Sequence, residues 1–317
     1  MPRALITGIA GQDGSYLAEW LLARDYEVHG IVRESSCLKR LQSFKARLVL
    51  HCADLNDSAT VRRILTETAP DEVYHLGGQS HVGLSFEQAE ATCESIAIGT
   101  LRLLEMIRAL PQPPRFFNAS SSEVFGRPET SPQDEQTPFR PATPYGCAKA
   151  FATQMVVIER HTFGLFACNG ILYNHESPRR GDNFVTQKIC RAAAAIKQGR
   201  QQELSLGNLS SQRDWGDARE YVQAMWLMLQ QATPADYVLA TGKLHSVQAV
   251  VETAFAAVGL NWRDYVKMDP RFMRPEDPAR LVGNPAKAEK ILGWRPIASF
   301  TRLITEMTLS ALETAPA

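Results

Sequence analysis

Ala4-Leu-Ile-Thr7-Gly8-Ile-Ala-Gly11-Gln-Asp-Gly14 decides how this chain folds. A short apolar run ends on three glycines spaced three residues apart. Ser15 to Arg24 then reads as a helix with Leu17, Trp20 and Leu21 on one side. A strand that turns on glycine into a helix N-terminus makes an anion site. Glycine allows the tight turn and lets the backbone approach a pyrophosphate, and the helix end supplies N–H groups and partial positive charge. Gly8, Ile9, Gly11, Gln12, Asp13 and Gly14 are therefore expected to hold a dinucleotide.

The same rhythm continues outward. Glu27 to Val32, Leu48 to Cys52, Val73 to Leu76, Arg115 to Ala119 and Leu165 to Tyr173 read as strands. Asp57 to Thr68, Glu87 to Leu110 and Tyr145 to His161 read as the helices between them, the second as one long helix. Strict alternation of strand and helix predicts an α/β fold, a Rossmann-like doubly wound parallel sheet. After Asn174 the pattern becomes irregular and polar, with helices near 184–199, 217–230, 246–258, 286–292 and 299–313. Residues 1–173 are expected to form the dinucleotide-binding domain. Residues 174–317 are expected to form a smaller, mostly helical substrate-binding region, with a strand near 237–241 returning to the main sheet.

Lys and Arg equal Asp and Glu at 34 each, so no net field favours nucleic acid or an anionic membrane. Any bound anion must be held by local clusters. No apolar run is long enough to span a bilayer, and no ligand spacing points to a metal. The six cysteines are scattered without a CxxC pair, which fits reduced thiols and a cytoplasmic protein.

In such a sheet ligands meet the loops after the carboxyl ends of the strands. After the second strand, Arg33, Ser35 and Ser36 suit the 2′-phosphate of NADP, while Glu34 suits the free hydroxyl of NAD. Asp54 and Leu55 after the third strand suit the adenine edge. Leu76, Gly77, Gly78, Gln79 and Ser80 after the fourth suit the pyrophosphate side. Ser121, Ser122 and Glu123 follow the fifth strand. Tyr145 and Lys149 stand four apart on one helix face, where the lysine charge is expected to lower the phenol pKa and make it a general base. Glu123 is then a candidate to remove a carbon-bound proton acidified by a neighbouring ketone.

Several segments carry a resemblance: Thr7 through Glu19, Asn174-His-Glu-Ser-Pro-Arg-Arg-Gly181, Phe184-Val-Thr186, Leu206-Gly-Asn-Leu209, Arg213-Asp-Trp-Gly216 and Gly283-Asn-Pro-Ala-Lys-Ala288. Over nearly its whole length the chain resembles the GDP-mannose 4,6-dehydratase family of extended short-chain dehydrogenases. The resemblance implies a held NADP and conversion of GDP-mannose to GDP-4-dehydro-6-deoxy-mannose plus water. It implies Tyr145 and Lys149 as the oxidation pair, Glu123 as the base at carbon 5 and Ser121 as the hydroxyl beside it. His175 and Arg180 would join the cofactor set. Ser85, Asn174, Lys188, Leu206, Gly207, Asn208, Arg213 and Arg274 would help hold the GDP-sugar, together with Ser121, Ser122, Glu123 and Tyr145.

The chain departs from the family at four places. Ser121 stands for a usual Thr, Glu34 for a usual second arginine, and Ala91 for a usual tyrosine, while the 35–46 segment is shorter. In the family that segment helps to build a tetramer, so a homodimer through the helices around 87–110 and 145–161 is expected, with a tetramer as the alternative. Rival functions are a dehydratase for another GDP-sugar such as a GDP-heptose, a reductase of the 4-keto product, and a non-catalytic nucleotide-sensing relative. Glu123, Tyr145 and Lys149 together favour the dehydratase.

Overall fold

A computed structural model describes residues 1–272 and 280–314. The first half runs β1 (Arg3–Thr7), α1 (Gln12–Leu22), β2 (Glu27–Val32), β3 (Leu48–Cys52), α2 (Ser58–Thr68) and β4 (Glu72–His75). It continues through α3 (Leu84–Glu87), α4 (Ala89–Cys93), α5 (Gly99–Arg108), β5 (Arg115–Ser121), α6 (Pro144–Phe163) and β6 (Ala167–Leu172). Beyond it lie β7 (Asn174–Glu176), α7 (Val185–Lys197), β8 (Leu204–Leu206), β9 (Gln212–Asp217) and α8 (Ala218–Leu229). The chain ends with β10 (Tyr237–Leu239), β11 (Leu244–Ser246), α9 (Val247–Ala257), β12 (Val266–Met268), α10 (Ala286–Leu292) and α11 (Phe300–Thr314).

Seven strands pair in parallel in the order β10-β6-β5-β4-β1-β2-β3. The chain winds outward from β1 through β2 and β3, then returns to place β4 against the other side of β1. Order therefore reverses between β1 and β4, where Thr7 lies opposite His75. Loops leaving two strands at such a reversal diverge and open a crevice. This is the expected doubly wound fold, and the strand at 237–239 does join the sheet, beside β6.

The strands are apolar on both faces, as burial between two helix layers requires; Ala4, Leu5 and Ile6 are wholly buried. On one face α1 and α8 pack through Leu17, Leu21, Met225 and Met228. On the other α2, α5 and α6 pack through Ile64, Leu104 and Val156. A separate core gathers α7, α9 and α11 around Ile189, Val250, Phe255 and Ile304.

One expectation is corrected. The single helix over 87–110 is broken: Gln88 adopts φ −128° and ψ 50°, and a π-turn spans Glu94–Ile98 before α5. There the Thr100 hydroxyl donates to the Ile96 carbonyl at 2.6 Å, a side-chain bond that apolar spacing does not reveal. The second half is mostly helical, with short strands between its helices. It holds a β11-β9-β7 sheet and a β12-β8 pair, four of whose five strands are three residues long. Such strands are too short to display alternation.

Candidate active site

A cavity of about 880 Å³ opens at the carboxyl edge of the main sheet. Its floor is the glycine turn. Gly8 has φ +74°, and a Cβ there would sit 2.8 Å from the Gly77 nitrogen and the Leu76 carbonyl. Only glycine lets β1 and β4 leave the sheet this close together. Gly11 caps α1 without a side-chain acceptor, so the first turn of α1 keeps backbone donors for a ligand. Gly11, Gln12, Asp13 and Gly14 line the cavity, as do Leu76, Gly77, Gly78, Gln79 and Ser80 across from them. Arg33, Ser35, Ser36, Asp54 and Leu55 close one end. A cradle of backbone donors with cationic and hydroxyl groups at one end suits an extended dinucleotide.

Ile9 is the exception in this set. Its side chain is wholly buried and fills the space over Gly30, so it offers the cavity no surface. Glu34 also stays off the wall. The turn around it is closed by the Ser36 N–H donating to the Arg33 carbonyl and the Arg33 N–H donating to the Ser36 hydroxyl, both at 2.9 Å. Glu34 occupies the exposed corner of that turn.

The two most distinctive segments of the sequence grip each other. The Gln12 amide donates to the His175 carbonyl at 3.1 Å and accepts from the Ser177 hydroxyl at 2.7 Å. Asp13 Oδ2 lies 2.8 Å from His175 Nε2, whose Nδ1 faces the Tyr173 carbonyl at 2.7 Å. Arg179 reaches back to the Ser15 hydroxyl at 3.1 Å and the Glu19 carboxylate at 2.8 Å. Burial opposes charge on His175, but Asp13 outweighs it and raises the imidazole above its ordinary value. Burial likewise opposes ionisation of Asp13, and His175 overcomes it, so that carboxyl falls below its usual range. Arg180 stacks 3.5 Å over the Phe184 ring and pairs with buried Glu176 at 3.0 Å. Both His175 and Arg180 line the cavity.

At its inner wall stand Ser121, Ser122, Glu123, Tyr145 and Lys149. β5 delivers the first three at its carboxyl end, where the Ser121 hydroxyl accepts from the Glu123 N–H at 3.3 Å. The N-terminus of α6 delivers the other two. Thr143 caps it by accepting from the Gly146 N–H at 2.9 Å, and Pro144 presets the first helical position. The Lys149 ammonium donates to the Ala119 carbonyl at 2.7 Å and lies 5.8 Å from the centre of the Tyr145 ring.

The expectation that Lys149 makes Tyr145 an easy base is corrected here. Burial pushes the phenol up to about 12; a hydrogen bond with Ser121 works against that, and the Glu123 charge adds to it. Lys149 itself is brought down to about 8 by burial, which the Asp13 charge partly offsets. Desolvation outweighs the pairing that the spacing suggested.

The proposed sugar-binding set divides. Asn174 lines the cavity. Ser85 does not: it is wholly buried, donates to the Val82 carbonyl at 2.7 Å and accepts from the Tyr145 N–H at 3.2 Å, so it anchors α6. Lys188, Leu206, Gly207 and Asn208 gather around β8, apart from the cavity wall. Lys188 donates to the Ser205 carbonyl at 2.9 Å and sits 4.1 Å over the Phe272 ring. Leu206 belongs to the core of the second half, so its side chain is no ligand contact. Asn208 accepts from the Ser210 N–H and hydroxyl at 2.9 and 2.7 Å, and Arg213 on β9 donates to the Gln212 carbonyl at 2.6 Å. Arg274 lies outside the described residues. Sequence reasoning missed Arg40, Asn183 and Ser95, which do line the cavity. None sits in a motif whose spacing announces a ligand.

The model of the family described as GDP-mannose 4,6 dehydratase matches residues 5–307. GDP-mannose 4,6 dehydratase 2 of Arabidopsis thaliana is 49% identical over 326 residues, covering 98% of this chain and 87% of that protein. GDP-mannose 4,6-dehydratase of Vibrio cholerae is 44% identical over 351 residues, covering 99% and 94% respectively. Among solved structures, UDP-glucose 4-epimerase of Thermus thermophilus in complex with NAD is similar with a TM-score of 0.87 at 26% identity, covering 99% of this chain and 100% of that one. These matches span the glycine turn, the inner wall and most of the second half, and this chain belongs to the GDP-mannose 4,6-dehydratase family.

Proposed function

We propose that this chain is a hydro-lyase that converts GDP-mannose to GDP-4-dehydro-6-deoxy-mannose and water. The observation that carries the reading is that Ser121, Glu123, Tyr145 and Lys149 share one cavity with the glycine cradle. A nicotinamide dinucleotide would be held by the 8–14 turn, the 76–80 loop, His175 and Arg180, and would supply reversible hydride acceptance beside carbons 4 and 6 of the sugar.

The chain's own residues move the protons. Tyr145 takes the proton of the 4-hydroxyl. A phenol held at about 12 is protonated at neutral pH, so this step needs help toward the ionised form, and Ser121 and Arg180 both favour that form. Once carbon 4 is a ketone, the adjacent carbon 5 proton is acidic. Glu123 removes it and passes it to the 6-hydroxyl, which leaves as water; carbon 5 regains a proton as carbon 6 is reduced, balanced by the one Tyr145 took from the 4-hydroxyl. Lys149, tied to the Ala119 carbonyl, holds positive charge beside the Tyr145 ring. Asn174 lies on the wall where a sugar hydroxyl can reach it. Lys188, Asn208, Arg213 and Arg274 are assigned to the GDP moiety by the family motif alone.

The cofactor is read as NADP on the strength of Arg33, Ser35 and Ser36, with Glu34 set aside on its exposed corner. A homodimer through α6 is supported by the exposed apolar side chains Phe151, Ile158 and Phe163. Six free thiols agree with a cytoplasmic protein.

Incubation with GDP-mannose and no added reductant tests the reaction. The expected product is lighter by one water, with no net change in bound nucleotide. Turnover of GDP-heptose alone would move the substrate, and net consumption of NADPH with the 4-keto sugar would replace the dehydratase with a reductase.

A further inference from the structure

Arg40 lines the same cavity as Arg33, Ser35 and Ser36. It comes from a single helical turn, Lys39–Leu41, in the short segment after β2. Leu41 is wholly buried in the core under α1, which fixes the turn. The guanidinium is partly buried and braced by two backbone carbonyls. Nε donates to the Arg179 carbonyl at 2.9 Å and Nη1 to the Ala10 carbonyl at 3.4 Å. Among the described residues no carboxylate pairs with it. A guanidinium carries five N–H donors, so these two bonds leave about three for the cavity. The carboxylate on this end of the wall, Asp54, accepts from the Asn56 N–H at 2.8 Å.

The neighbours define the ligand chemistry. Arg33 is exposed, and an exposed flexible cation alone discriminates weakly between ligands. A second guanidinium, held in position before the ligand arrives, suits a phosphate monoester with several acceptor oxygens. We propose that Arg40 is the second cation of a pocket for the 2′-phosphate of NADP and determines the preference for NADP over NAD. It supplies the charge that Glu34, turned outward at the corner of its loop, does not. The inference rests on the NADP reading given above.

Titration calorimetry on the nucleotide-stripped protein with 2′,5′-ADP and 5′-AMP tests it. The wild type should bind 2′,5′-ADP more tightly. Arg40→Gln should cut that preference roughly 10- to 100-fold and leave 5′-AMP affinity unchanged, because one set of charge-assisted bonds is lost. Arg40→Lys, which keeps the charge but not the fork, should fall between. If Arg40→Gln weakens both nucleotides equally, Arg40 is only a brace for the Ala10 and Arg179 carbonyls, and the inference is overturned. An unchanged preference in Arg40→Gln overturns it too, while the NADP reading stands. A wild type without preference overturns the NADP reading itself and Arg40's role with it.

Discussion

Replacing Asp13 with Asn removes the charge that faces His175 and keeps nearly the same shape. The two side chains lie 2.8 Å apart and are 21% and 10% exposed, so the pair is largely withdrawn from water. Removing one partner of a fully buried pair costs about 3–5 kcal/mol. Residual solvent contact, and the hydrogen bond that Asn can still make, bring the expected loss to about 2.5 kcal/mol. For 317 residues, at about 2.1 cal/mol/K of unfolding entropy each, that is a fall in Tm of about 4 °C.

The sign of the pH dependence follows from the two shifts. His175 is raised when folded, so its contribution is full below about 6.5 and is lost as pH rises through the higher folded value. Asp13 is lowered, so its contribution is present above about 3.8 and is lost as pH falls through the folded value. The wild type should therefore exceed Asp13→Asn most at about pH 5–6, and the gap should narrow toward about pH 9. Urea unfolding of both proteins across that range measures it. A gap under about 1 kcal/mol, or one that widens as pH rises, would refute the reasoning.

Two further outcomes are expected. Gly8→Ala forces alanine into φ +74° with its Cβ 2.8 Å from backbone atoms of Leu76 and Gly77, so stability should fall by about 2–4 kcal/mol and nucleotide binding should be lost; tight NADP binding by this variant, read by calorimetry, rejects the cradle. Because Lys149 is brought down to about 8, the dehydration rate should decline as pH rises through about 8 and its positive charge is lost; an initial-rate profile that climbs steadily to about pH 10 rejects that role.

The glycine turn was legible because its causes are local: strand, turn and helix are adjacent in sequence, and only glycine tolerates the geometry at Gly8. The positions of Ser121, Glu123, Tyr145 and Lys149 on the cavity were legible for a related reason, since each lies at the end of a strand or the start of a helix. Their electrostatics were not. Spacing suggested that Lys149 governs Tyr145, whereas burial sets that phenol, and burial depends on packing from distant segments. Ser85 shows the same limit, since a hydroxyl near the site turned out to be committed to the Tyr145 N–H. Arg40 escaped notice because its partners, Ala10 and Arg179, stand 30 and 139 residues away. The placement of Glu34 on an exposed corner off the cavity wall was not legible either, because a one-residue position within a turn decides which way a side chain faces.

The grip between α1 and the loop after β7 bears on inheritance. Gln12 and Asp13 reach partners 163 and 162 residues downstream, and Arg179 reaches back 160 residues to Glu19. Neither segment has a complete set of partners without the other. A gene recombined between relatives at any crossover from about residue 20 to residue 173 joins a helix from one parent to a loop from the other. Such chimeras should survive only where both parents carry matching residues on each side, so the two segments are expected to travel as one hereditary unit.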